Sequence, residues 1–273
     1  GTDRLMDAPR HVLIAGSGAA SLTAALLFAM VGSHVTVAES APHFGGAMRG
    51  FRRGGLLFDT GFHFTGGMDD GGAFDRLLKL LGIRGELETE PVGTRFHFAD
   101  TGRSWLLPRG RDAVRDFLAK GFPSMRAGIF RYFEEEQNVF ERTALLTSLR
   151  VDAFGFVPGA DNVTLAEKLS ALGVEGECAA ILSAFMTCYG TPPDEISFAD
   201  HARICRNMFD DLVRFRGGGQ ALADAMIRKA VSCGVEFRAA AGVVALDGVE
   251  RGRASRAILS NGERIPFDAC VLG

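Results

Sequence analysis

A chain of 273 residues with 47% hydrophobic content can bury a large core, as one large domain or as two intertwined ones. A formal charge of −3 offers no basic field for nucleic acid, and acidic runs such as Glu134-Glu135-Glu136 read as solvated helix faces. The five cysteines are scattered and form no C-x-x-C pair, which fits thiols in a reducing, cytoplasmic setting; His201 and Cys205, one helical turn apart, lack a third ligand nearby and read as packing residues, with no metal.

The residues before His11 read as a leader outside the fold. Val12-Leu13-Ile14-Ala15 then suits a buried parallel strand, and it runs into the turn Gly16-Ser17-Gly18-Ala19-Ala20-Ser21 and an apolar helix over residues 22–31. Gly16 allows the tight reversal, and Gly18 lets a pyrophosphate approach the backbone. The third small residue, here Ser21, sets how closely helix and strand pack. Free amides at the helix start, from Ser17 to Ala20, hold an anion together with the helix dipole. A second strand, residues 34–38, ends at Glu39, the acid expected about 20 positions on to grip ribose hydroxyls; it repels a 2′-phosphate and so disfavours NADP. Residues 12–38 carry no Asp, Glu, Lys or Arg, but the glycine turn divides them into pieces too short to cross a bilayer of about 30 Å. A peripheral membrane contact stays open.

After Glu39, the pair Gly45-Gly46 before Ala47 can bring more backbone amides to a phosphate. A turn at Arg53-Gly54-Gly55 leads into a strand and a loop dense in glycine and aromatics, Phe58-Asp59-Thr60-Gly61-Phe62-His63-Phe64-Thr65-Gly66-Gly67. Glycine turn, terminal Glu, Gly-Gly loop and this segment together resemble the start of the flavoprotein family of phytoene desaturases, carotenoid isomerases and retinol saturases. Residues 45–47 and 58–67 are most similar to the retinol-saturase and carotenoid-isomerase branch. The resemblance implies FAD, with adenosine on the first βαβ unit and the flavin ring near Gly61, Phe62 and His63. Amine oxidases and many desaturases carry Arg directly after the glycine pair; Ala47 stands there in this chain, which argues against the amine-oxidase branch and leaves the role of Arg49 open.

Residues 95–99 and 104–107 flank a turn and read as a β-hairpin, followed by helical patterns over 112–120, 127–148, 164–172 and 178–189. The resemblance makes this middle part an inserted substrate domain. Among the 22 phenylalanines, Phe133, Phe140, Phe154, Phe156 and Phe185 are candidates for lining an apolar tunnel, with core packing as the default. A glycine run at 217–219, a helix over 221–232, a strand over 235–238 and an apolar stretch over 242–246 then resemble the family's return to the nucleotide-binding sheet, where the main chain of Val243 meets the adenine. Asn261-Gly262 is a two-residue hairpin signal, and residues 268–273 begin a buried strand.

The expected architecture is α/β: a Rossmann-like, glutathione-reductase-like FAD-binding domain in two segments, residues 10–70 and 216–273, around an α+β substrate domain, residues 71–215. The resemblance covers nearly all of this chain and the first half or so of the family's architecture. It implies a flavin-driven oxidation, reduction or isomerisation of a carbon–carbon bond in an apolar substrate of polyene or isoprenoid type. His63 is the candidate catalytic side chain. An NAD-binding dehydrogenase and a nucleotide-binding module without independent activity are the alternatives.

Overall fold

A computed structural model describes residues 9–149 and 156–273. By its internal contacts the chain divides into two units. The first gathers residues 9–63, 78–90 and 215–273, and the second residues 64–77 and 91–214.

The first unit is built on a four-stranded parallel sheet in the order Ala269–Leu272, His11–Ala15, His34–Ala38, Glu236–Arg238. We label His11–Ala15 β1, the helix Ala19–Met30 α1, and His34–Ala38 β2. The middle of β1 and all of β2 after His34 are buried, as strands covered on both faces of a parallel sheet should be. The start of β1 is tied across the whole chain, its His11 amide donating to Asp268 Oδ2 at 2.8 Å. A three-stranded antiparallel sheet, Val243–Asp247, Arg256–Leu259 and Arg264–Pro266, packs Ala257, Leu259 and Ile265 with Leu13 and Ala38. Its hairpin forms at the Asn261-Gly262 signal, although Leu259 N–H donates to Glu263 O and so encloses three residues rather than two. Residues 78–90 fall in this unit, where the sequence segmentation puts them in the insertion. Arg228 pairs with Glu86 at 2.9 Å, and Arg216 N–H donates to Glu88 O.

The second unit is mainly helical, with the hairpin of Arg95–His97 and Ser104–Leu106 set as its sequence suggests. The stretch 127–148 is two helices, Arg126–Arg142 and Ala144–Ser148. At Thr143 the backbone is extended and the side-chain hydroxyl donates back to Val139 O, an alternative partner that competes with helix continuation. Sequence periodicity passes over the helix Phe198–Asp210, which Ser197 caps through the Asp200 amide and which supplies Phe198, His201, Cys205 and Phe209 to the core. Phe133 and Phe185 belong to that core, whereas Phe156 is 55% exposed. Phe154 lies outside the described residues, as do residues 1–8 of the leader.

His201 is fully buried, and each of its ring nitrogens bonds to a tyrosine hydroxyl at 2.8 Å, Nε2 to Tyr132 and Nδ1 to Tyr189. Burial pushes its pKa down to about 4, so the ring is neutral near neutrality, with one nitrogen donating and the other accepting. Glu136, also fully buried, accepts from Arg111 Nε at 3.0 Å while its Oε1 has no partner among the described residues. Burial drives its pKa up to about 7 against the pull of Arg111.

Candidate cofactor site

The glycine turn links β1 to α1. Gly16 N–H donates to Ala38 O at 2.8 Å, so the pairing of β1 with β2 continues into the turn. Gly18 begins α1 with extended backbone, and no side chain caps the helix. The amides of its first turn have no intrahelical partner. A Cβ built on Gly18 would meet nothing within 4 Å, so the space beside this backbone is open while the surrounding turn is packed. Ser21 is 2% exposed, and its hydroxyl lies where a Cβ on Gly273 would fall. The serine at the third position is thus accommodated by a glycine on the neighbouring strand, and close helix–strand packing is kept.

Glu39, at the end of β2, is 8% exposed and turned back onto the glycine turn. Its Oε2 accepts from Ser17 N at 3.0 Å and from Ser17 Oγ at 2.5 Å. Its Oε1 accepts from Ala41 N at 2.8 Å and from Ser40 Oγ at 3.2 Å. Burial alone would raise this carboxyl's pKa; the bonds from Ala41, Ser17 and Ser40 outweigh it and hold the group below the usual carboxylate range. Two of the four donors are hydroxyls that can rotate away, leaving acceptor sites for a diol. Ser40 and Ala41 are members of the site that sequence reasoning passes over.

The Gly45-Gly46-Ala47 loop lies directly on this turn. Gly45 N–H donates to Ser17 O and to Ser17 Oγ, both at 3.1 Å, so Ser17 joins the turn, the acid and the loop. Arg49 braces the loop from within, its Nε donating to Gly46 O at 3.3 Å and its Nη1 to His43 O at 3.0 Å. Gly61 approaches Ala47, with a Cβ there 3.4 Å from Ala47 O. Phe62 stacks on Phe215 at 5.7 Å between centroids, and His63 is exposed.

Val243 is reached from the same acid. Ala241 N–H donates to Glu39 O at 2.8 Å, Ala240 N–H to Ala41 O at 2.9 Å, and Gly242 packs on Ser40. The Val243 main chain therefore runs beside residues 39–41, at the start of a strand that bulges between Val243 and Ala245. Gly16 to Ala20, Glu39, residues 45–47, Gly61 and Val243 thus form one connected set in the first unit. Among the described residues no group of three or more His, Cys, Asp or Glu is placed to hold a metal ion.

An open glycine at an uncapped helix start, with an ionised carboxylate bonded to the residue before it, defines a dinucleotide-binding α/β domain. The match to known sequences makes the class specific. The chain belongs to the flavin containing amine oxidoreductase family, whose pattern it matches over residues 20–273. It is 29% identical over 232 residues to a Macaca fascicularis protein named all-trans-retinol 13,14-reductase, covering 78% of this chain and 38% of that one. The Homo sapiens protein of the same name is 28% identical over 237 residues, with 78% and 38% covered. An oxidoreductase from Methanosarcina mazei has the same fold, with a TM-score of 0.67 at 16% identity over 96% of this chain and 58% of its own. The chain spans about two fifths of the length of these curated relatives. FAD is the flavin that this site fits: an opening for a pyrophosphate at Gly18 and an acceptor for a ribose diol at Glu39.

Proposed function

We propose that the chain is the nucleotide-binding and ring-facing part of an FAD-dependent oxidoreductase that desaturates, saturates or isomerises a carbon–carbon bond of an apolar, polyene-like substrate. The observation that carries this reading is the open space at Gly18 beside the ionised Glu39, in a family whose members contain a flavin. The retinol reductases among its relatives support the substrate class.

In this reading the amides of residues 16–20 and of residues 45–47 hold the pyrophosphate, Glu39 takes the ribose hydroxyls, and the Val243 main chain meets the adenine. Gly61, Phe62 and His63 face the ring. A bound flavin supplies transfer of a hydride to or from carbon. Phe62, held by Phe215, keeps water from the ring face, and exposed His63 moves the compensating proton between solvent and the reacting carbon.

The test is to load the purified chain with FAD, reduce it without oxygen and add all-trans-retinol. Reoxidation of the flavin, with a saturated product of matching mass, supports the reading; a chain that binds NAD but no flavin defeats it. A second reading, a nucleotide-binding module without its own turnover, draws on the share of the relatives' length that the chain spans. It predicts flavin binding with no reoxidation by any polyene.

Free thiols at all five cysteines support a reducing, cytoplasmic setting. No described helix is long and apolar enough to cross a membrane. For peripheral contact the hairpin of Gly50–Arg53 and Leu56–Asp59 offers exposed Phe51, Leu56, Leu57 and Phe58, and co-sedimentation with lipid vesicles would detect it.

A further inference from the structure

The first unit contains a second helix start that the cofactor reading does not use. The helix Gly218–Ser232 begins after Gly217 with no side-chain cap of its own and no acidic residue in its first turn. Asp59, 160 positions upstream, supplies an acceptor there, its Oδ1 accepting from Gly219 N at 3.0 Å. The fit leaves no tolerance. Gly218 has φ +68°, and a Cβ on it would fall inside the Asp59 carboxylate; a Cβ on Gly219 would lie 2.6 Å from Met48 O and 2.9 Å from Phe62 Cβ.

The next residue completes a clamp. Gln220 Oε1 accepts from Gly50 N at 3.2 Å, and Gly50 is the cross-strand partner of Asp59. Consecutive helix residues therefore hold both strands at the base of the hairpin. The same helix start presses on Met48, which closes the turn Gly46–Met48, and on Phe62. Asp59 thus sits where the two loops that approach each other at Ala47 and Gly61 are fixed.

We propose that Asp59 is a positioning residue for the ring half of the cofactor, acting through the start of the helix Gly218–Ser232 on Met48 and on residues 61–63. This rests on the placement of the flavin ring under Proposed function. The adenosine half, held by the turn at residues 16–20 and by Glu39, does not depend on it.

The test compares FAD with ADP, which carries only the adenosine diphosphate half, as ligands of the full chain. The expected result is that Asp59→Ala weakens FAD binding about tenfold or more while ADP binding stays unchanged, because a hydrogen bond to a charged group is removed on the ring side only. Asp59→Asn keeps the acceptor without the charge, so it gives an intermediate loss, again confined to FAD. The visible spectrum of bound flavin shifts in Asp59→Ala and less in Asp59→Asn. Equal losses for FAD and ADP in either variant, or no loss for either ligand, would overturn the proposal. A parental chain that binds ADP and FAD equally tightly overturns it as well, with nucleotide binding left standing; a parental chain that binds neither removes the cofactor reading itself.

Discussion

A Cβ built on Gly46 would lie 2.8 Å from the Cα of Gly18, whereas a Cβ built on Gly18 meets nothing within 4 Å. The two glycines therefore differ in kind. Gly46 also has φ +54°, so Gly46→Ala combines a left-handed backbone, about 1–2 kcal/mol, with overpacking of about 1–3 kcal/mol. Gly18→Ala should change stability by less than about 1 kcal/mol, as expected for an exchange at an uncapped helix start, yet weaken FAD binding about tenfold by filling the pyrophosphate's space. Urea unfolding and a flavin titration on both variants check the contrast. A Gly18→Ala chain that binds FAD as well as the parent would show the opening to be incidental.

Glu39→Gln keeps the size of the side chain but turns an amide N–H₂ toward donors that the carboxylate now accepts from, Ser17 N or Ala41 N. Loss of charge-assisted bonds should destabilise the fold by about 1.5–3 kcal/mol and weaken ADP binding about tenfold. Because the folded pKa of Glu39 is lowered, its contribution is complete above the unfolded value of 4.5 and disappears as pH falls through the folded one. Acid unfolding of parent and variant should accordingly converge at the lowest pH.

Glu136 and His201 in the second unit should oppose each other. The folded pKa of Glu136 is raised from 4.5 to about 7, so its contribution to stability is complete below pH 4.5 and is lost as pH rises through 7. That of His201 is lowered from 6.5 to about 4, so its contribution is complete above pH 6.5 and is lost as pH falls through 4. Glu136→Gln removes only the first. The variant should gain about 3 kcal/mol on the parent between pH 4.5 and 7 and run parallel to it outside that range. Denaturant midpoints measured across this range provide the check.

His63 is exposed, so His63→Ala should leave stability within about 0.5 kcal/mol and leave flavin content unchanged. Loss of the proposed proton carrier should nevertheless slow steady-state turnover by about 100-fold. Turnover equal to the parent's, with flavin bound, would remove His63 from the chemistry.

What the sequence made legible was local. β1, the glycine turn, α1 and β2 follow one another within 28 residues, and each is specified by its own apolar run or glycine, so their order announces the site. The pairing of Asp59 with Gly219 is not visible that way, since 160 positions separate them and neither Phe-Asp-Thr-Gly nor a glycine run names its partner. Ser40 and Ala41 were hidden because their task is to hold Glu39, through an amide and a rotatable hydroxyl that many residue types supply. The helix Phe198–Asp210 was legible in principle, since Phe198, Ala202, Cys205 and Phe209 repeat at the spacing of one helix face and Ser197 with Asp200 marks its start. In the helical run 127–148 the break falls at Thr143, whose extended backbone the apolar periodicity does not signal.

The bond from His11 to Asp268 spans 257 positions. During synthesis at about 5–20 residues per second, β1 leaves the ribosome roughly ten seconds to a minute before the strand that flanks it, and all of the second unit is made in between. Through that interval an apolar strand has one edge bare, and chaperone protection of the nascent chain should matter most there.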